Sequence, residues 1–326
     1  NYLFILYLMA YSLVDLFAGT GAFSYAFHKT NQVETVYAND LLQSSKEIYN
    51  INNHISLDQN DLNDVDETMI PPINILSSGF PCQPFSLAGL KQGFKDPRSN
   101  VFWKIISIIQ YHKPDVVILE NVKNLKSHDN GNTFKTIIDS LHEQNYYVKY
   151  SILSTSKITG IPHGRERIYI VCFKEKWYYD HFNFDFEGVE LKNVREFLEK
   201  NVDKKYYYTN KSAIYDKIKN HIINDINKTN TVYQYRRHYV RENKNNVCPT
   251  LTANMGTGGH NVPLIRDSKG IRKLTPRECF NLQGFPETYK LPNISDAKLY
   301  SLAGNAVSVP IIELLANKII NLFNHQ

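Results

Sequence analysis

Apolar and polar positions along the first half of the chain fall into short alternating blocks. Brief apolar runs at residues 13–17, 34–38, 73–76 and 116–119 predict buried strands. Residues 23–28, 42–50 and 133–143 carry helix-like spacing between them. In residues 101–111 the apolar positions 101, 102, 105, 106, 108 and 109 repeat at a helical period behind a capping Asn100. Residues 147–153 and 167–173 read as further strands. Such alternation argues an α/β fold built on a parallel, doubly wound sheet.

The pattern changes after about residue 186. Residues 201–246 are polar, rich in Asn and Tyr, and only weakly periodic. Residues 250–262 are Gly-rich and not helical, 275–283 form a helix opened by Thr275-Pro276, and 307–323 form an amphipathic helix expected to pack back on the first domain. A second, smaller domain is therefore expected after the first.

Charge sharpens this division. The formal net charge of the 326-residue chain is +5. Residues 201–246 hold ten Lys/Arg against four Asp/Glu, interleaved with Tyr206, Tyr207, Tyr208, Tyr233, Tyr235 and Tyr239. This is either a solvated surface with packed tyrosines or a nucleic-acid face, with cations for phosphates and flat rings for bases. The four cysteines, Cys82, Cys172, Cys248 and Cys279, form no CxxC pair, so neither a metal site nor a disulfide framework is expected. That usage fits a reducing, cytoplasmic setting. Residues 2–14 are apolar but have no positive flank and no small-residue cleavage site, and are too short for a membrane span of about 20 residues.

Three stretches carry candidate chemistry. In the first, Asp15 to Phe23, a strand runs through Gly19-Thr20-Gly21 into a helix, and Asp40 closes the next strand 19 residues beyond Gly21. This is the layout of a nucleotide site whose acid takes ribose hydroxyls. The full dinucleotide glycine set is missing and Asp15 would repel a pyrophosphate, so a cationic nucleoside such as S-adenosylmethionine fits better. The alternative is an ordinary strand-to-helix turn. In the second, Ser78-Gly79-Phe80-Pro81-Cys82-Gln83-Pro84, a thiol sits between two prolines beyond the end of a strand, a candidate nucleophile. Taken alone it reads equally as a small buried hydrophobe. Glu120 also follows a strand and would face the same pocket if the two strands are neighbours. Standing alone it reads as a helix-capping acid. In the third, Arg165 and Arg167 share one face of a strand, either to hold a substrate phosphate or carboxylate or as an edge-strand salt bridge.

The ordered motifs DLFAGTGAF, GFPCQPFS, ENVKNLKSHDNGNT, GIPHGRERIYIVCF, RKLTPRECFNLQGFP and YSLAGNAVSVP resemble those of bacterial DNA cytosine-5 methyltransferases, the HhaI type above all. The resemblance implies a Rossmann-like methyltransferase sheet with a smaller target-recognition domain. The implied layout is a catalytic domain at 1–188, target recognition and hinge at 189–293, and a returning segment at 294–326. It implies Cys82 as the nucleophile at cytosine carbon 6, Glu120 on N3 and the exocyclic amine, Arg167 on the base carbonyl, and Arg165 fixing the site or a nearby phosphate. The methyl donor S-adenosylmethionine would contact Phe17, Gly19, Gly21, Asp40, Asp61, Phe80, Pro81 and Asn305, with no metal. Ser86 and Arg98 would lie in a loop closing over DNA, Arg236 and Arg237 on the DNA face, and Thr250 and Leu251 in the recognition region. The partner implied is double-stranded DNA, with the target base flipped out of the stack. A cognate endonuclease would belong to the same system without direct contact, and the protein would be a cytoplasmic monomer away from membranes. Two departures stand out: Ala22 replaces a second glycine, and His163 stands where many members have Gln. The alternatives are an RNA methyltransferase of the same superfamily and an inactive DNA-binding relative. A nicotinamide oxidoreductase is more distant.

Overall fold

The computed structural model of the protein describes residues 11–81, 101–209, 231–236, 239–243, 245–256 and 262–325. Cys82, Ser86, Arg98 and Arg237 lie outside these residues, and of Arg236 only the backbone is described. The chain divides into two compact units. The first comprises Asn1–Leu153, Glu166–Asp185 and Ile311–Gln326, the second Ser154–Arg165 and Phe186–Pro310.

The strands of the first half are β1 (Tyr11–Leu16), β2 (Val33–Asn39), β3 (Ile75–Ser78), β4 (Val116–Val122), β5 (Tyr147–Ser154), the two-residue β6 (His163–Gly164) and β7 (Glu166–Phe173). Among the described residues all but β6 form one six-stranded sheet in the order β2-β1-β3-β4-β7-β5. β1 pairs in parallel with β2 and with β3, and β3 in parallel with β4. β7 runs antiparallel to β4, so the sheet is mixed rather than wholly parallel. An apolar run does not encode strand direction, which is why the alternation of strands and helices missed this reversal. β3 is buried throughout and β4 in all but its last residue. Covering on both faces is what makes such strands read as continuous apolar runs.

Helices α1 (Ala22–His28), α2 (Gln43–Asn50), α3 (Val101–His112) and α4 (Asn132–Glu143) join these strands. The apolar stripe of α3 buries Phe102, Ile105, Ile106, Ile108 and Ile109, and that of α4 buries Phe134, Ile137 and Leu141. Both contribute to one core with Val14, Leu76, Val117, Leu119 and Ile170 from the sheet. Two short helices follow, α5 (Thr155–Thr159) and α6 (Lys176–His181).

The second unit holds an antiparallel sheet in the order β12-β11-β8-β9, from β8 (Val232–Arg236), β9 (Tyr239–Asn243), β11 (Leu264–Asp267) and β12 (Gly270–Lys273). The short β10 (Cys248–Pro249) pairs with β6. Helix α7 (Pro276–Leu282) opens on a capping box: the Thr275 hydroxyl accepts from Glu278 N, and the Glu278 carboxylate accepts from Thr275 N. The same carboxylate takes both Nη donors of buried Arg272, at 2.8 and 2.7 Å, and so ties α7 to β12. Helix α8 (Asp296–Asn305) ends this unit, and α9 (Val309–Asn324) carries the chain from it into the first. There Phe323 packs its ring against Tyr11 and Tyr178, at 4.7 and 5.2 Å between centroids. The stretch Asp296–Asn324 is long and apolar enough to cross a membrane, but 61% of its most apolar window is buried inside the protein, as in a core helix.

Candidate active site

Chain order in the sheet reverses between β1 and β3: from β1 the chain moves outward to β2, then returns to the other side of β1. Ligands of open α/β sheets bind at the carboxyl ends of the strands at such a reversal. The turn after β1 and the segment after β3 both emerge there. In the first, Phe17 has φ 54°, a strained value for a bulky residue, and Gly21 has φ 70°. A Cβ on Gly21 would fall 2.9 Å from Tyr49 Cδ2, so both its conformation and its surroundings require glycine. Ala22 begins α1 and is buried, so the missing second glycine is accommodated within the helix.

Asp40 lies beside this turn. Its Oδ2 accepts from Gly19 N at 3.0 Å and its Oδ1 from Leu42 N at 2.9 Å. Burial pushes its carboxyl above the ordinary range. A carboxylate has about four acceptor positions, so room remains for ligand hydroxyls. Asp61 is exposed and caps a short turn through Asn63 N, at 2.9 Å. Its segment is tied to the end of β2 by buried Asn39, whose amide donates to the carbonyls of Asp58 and Asn60 at 3.2 and 2.9 Å. Asn39 drew no attention in the sequence, where it marked only the end of a strand.

Beneath the turn, Asp15 is fully buried. Its Oδ2 accepts from Ser24 N and Oγ at 3.2 and 2.8 Å, and its Oδ1 from Ser77 Oγ at 2.9 Å. Burial outweighs these bonds and raises its pKa to about 6.

β3 and β4 are neighbours, with Ser78 opposite Leu119, so the segment leading to Cys82 and the end of β4 come together. Phe80 is buried against Phe102, and its carbonyl accepts from Asn121 Nδ2 at 2.9 Å. Pro81 is exposed. Glu120, 6% exposed, lies opposite Tyr169 of β7, which puts Arg167 diagonally across on the same face. Arg167 Nε reaches Glu120 Oε1 at 3.3 Å. This ion pair exists because β7 is antiparallel to β4.

In the second unit Arg165 is 2% exposed and precedes β7 instead of sharing its face with Arg167. Its Nη1 donates to the Gly304 carbonyl at 3.1 Å. Gly304 lies so close to another backbone that a Cβ would fall 2.2 Å from the Thr252 carbonyl carbon. Asn305, exposed, follows directly at the end of α8. His163 is buried, and its Nε2 accepts from Leu251 N at 3.1 Å. This departure from the Gln pattern therefore supplies an acceptor that Gln also offers. Thr250 Oγ1 donates to the Gly164 carbonyl, and Leu251 is 1% exposed, a core side chain. Tyr206, Tyr233 and Tyr235 are also buried, so these three rings pack the interior rather than face solvent.

A family model described as C-5 cytosine-specific DNA methylase matches residues 11–321. The chain belongs to the C-5 cytosine-specific DNA methylases. This methylase is 44% identical over 311 residues to Type II methyltransferase M.Bsp6I of Bacillus sp. strain RFL6, across 94% of this chain and 98% of that protein. It is 35% identical over 316 residues to Type II methyltransferase M.HaeII of Haemophilus aegyptius, across 96% and 94% of the two chains. Its fold is similar to that of the S. pombe Dnmt2 methyltransferase crystal structure, with a TM-score of 0.71, 20% identity, and coverage of 96% of this chain and 99% of that one. The methylase is a DNA cytosine-5 methyltransferase. Its family implies S-adenosylmethionine as methyl donor. The residues after β1 fit such a ligand: a glycine turn with no room for a side chain at Gly21, and the Asp40 carboxylate for hydroxyls.

Proposed function

We propose that this methylase is the modification enzyme of a restriction-modification system and acts in the cytoplasm. It would methylate one cytosine flipped out of a short specific site in duplex DNA. The reading is supported by the Type II relatives and by the buried Glu120–Arg167 pair beside the segment that leads to Cys82.

Carbon 5 of cytosine is a poor nucleophile. Cys82 supplies a thiolate that adds to carbon 6, and carbon 5 then carries the electron pair. Glu120, held by Arg167, contacts N3 and the exocyclic amine and favours protonation of the ring as the thiolate adds. Arg167 also contacts the base carbonyl. When bound, S-adenosylmethionine supplies an electrophilic methyl group. Phe17, Gly19, Gly21 and Phe80 shape its site, Asp40 takes its ribose hydroxyls, Asp61 its adenine amine, and Pro81 and Asn305 complete the contacts. Loss of the carbon-5 proton expels the Cys82 sulfur and restores the aromatic ring. Arg165 acts through Gly304, positioning Asn305 rather than touching substrate.

Residues 1–188 would form the catalytic domain, 189–293 the target-recognition domain and hinge, and 294–326 the segment returning to it. Ser86 and Arg98 would close over DNA, with Arg236, Arg237 and Thr250 on the DNA face and Leu251 supporting it from the core. The protein would act as a monomer, with its cognate endonuclease a separate protein.

Bisulfite sequencing of plasmid DNA from cells expressing the full chain tests this. One short motif should be protected from conversion at a single cytosine, and Cys82→Ser should abolish the protection. Scattered protection, or protection that survives the substitution, would contradict it.

A further inference from the structure

The second unit contains a polar cleft of about 540 Å³ whose lining includes Gln234, Arg241, Asn243, Asn245, Thr250 and Thr252. Strand geometry explains why these side chains gather there. Tyr233 and Tyr235 of β8 pack into the small core with Leu264 and Ile271, and Val240 of β9 packs against that cluster. Residues alternate between faces along a strand, so Gln234 and Arg241 point to the opposite face. They are also direct cross-strand partners in the antiparallel pair.

Among the described residues, neither the Gln234 side-chain oxygen nor most of the Arg241 guanidinium is satisfied. Gln234 Oε1 is buried and has no hydrogen-bond partner among the described residues. Arg241 is exposed, and its one hydrogen bond among the described residues is a long one, 3.4 Å, to Asn243 Oδ1. Among the described residues no carboxylate lines the cleft. A buried acceptor without a donor is costly, and a DNA phosphate cannot relieve it because phosphates only accept. What is missing is a donor beside a pair of acceptors. In the major groove a G·C pair offers that set: the N7 and O6 acceptors of guanine next to the N4 amine of cytosine. An A·T pair presents acceptor, donor, acceptor and a methyl group, which does not match.

We propose that Gln234 and Arg241 together read one G·C pair of the recognition site, with Arg241 donating to guanine N7 and O6 and Gln234, its amide turned out into the cleft, accepting through Oε1 from the cytosine amine. This rests on the reading that the chain acts on duplex DNA at a specific site. It assigns one position of that site to two named residues.

The test is selection of bound duplexes from a randomised library by the full-length protein, followed by sequencing, with bisulfite conversion of the same pool in the presence of methyl donor. The wild type should enrich one motif with a fixed G·C pair. Arg241→Ala should relax that position, lowering its preference for G·C on the order of ten- to a hundredfold, while leaving the others intact. Gln234→Ala should relax the same position, and Gln234→Glu should keep G·C because a carboxylate still accepts from the amine. Melting curves verify that each variant is folded, and Arg241→Lys replaces Arg241→Ala if that variant is not. An unchanged motif in the variants overturns the proposal, as does a uniform loss of affinity with a shallower salt dependence, which would mark a phosphate contact. A wild type that enriches a motif but leaves it unmethylated would contradict the activity and leave the base reading standing. A wild type that enriches nothing overturns the base reading.

Discussion

Asp15 sits at the bottom of the ligand turn rather than on its rim, and its environment penalises its charge. A shift from the ordinary 3.8 to about 6 corresponds to a penalty of about 3 kcal/mol on the ionised form. The folded state therefore holds a proton that the unfolded state has lost between about pH 4 and pH 6. The contribution of this group to stability is greatest below pH 4 and is lost as pH rises through 6. Asp15→Asn keeps an acceptor for Ser24 and offers a donor to Ser77 Oγ, and removes the titration. Denaturant unfolding of both proteins from pH 4 to 7.5 should show the wild type losing about 3 kcal/mol relative to the variant. Parallel curves would contradict this. Glu120 is proposed to act on substrate, and its test is kinetic. Glu120→Gln should lower kcat by about 10²-fold or more while donor Kd, measured by calorimetry, stays within about threefold. Equal losses in both would mark Glu120 as a structural partner of Arg167. At this scale the sequence revealed which residue types stood at strand ends, but not whom they meet. Asp40 beside Gly19 followed from the order of turn and strand. The Glu120–Arg167 contact did not, because it depends on the direction of β7.

Among the elements, the one most exposed to a single change is the end of α8. Gly304 is pressed against the Thr252–Ala253 backbone, and its carbonyl is held by Arg165. Gly304→Ala introduces a Cβ where no flexible side chain can yield, so helix and segment must separate. Overpacking of this kind costs about 1–3 kcal/mol, and the denaturant midpoint should fall accordingly. A midpoint within error of wild type would show that the segment moves freely. Elements were legible from period alone in the first unit, where the stripes of α3 and α4 face one core. In the second unit the period was weak because β8 buries tyrosines, whose hydroxyls read as polar in a hydropathy pattern. Tyr233 and Tyr235 therefore looked like candidates for base stacking and are interior residues instead. The close approach at Gly304 has no sequence signature beyond the glycine itself.

For the whole molecule, family membership, the mixed α/β fold and the reaction all agree. The sheet brings the glycine turn and the segment before Cys82 to one reversal of strand order, and β4 places a carboxylate beside that segment. A methyl donor and an extruded base would meet there. The central claim is that chemistry at this place is covalent, through one sulfur. Duplexes containing the recognition motif with 5-fluorocytosine at the target position test it most directly, because fluorine blocks the final loss of the carbon-5 proton. With S-adenosylmethionine present, the full-length protein should form a denaturation-resistant adduct with the DNA, and peptide mapping should locate the bond at Cys82. Absence of any adduct on duplexes that the enzyme otherwise methylates, or an adduct still formed by Cys82→Ser, would contradict the account.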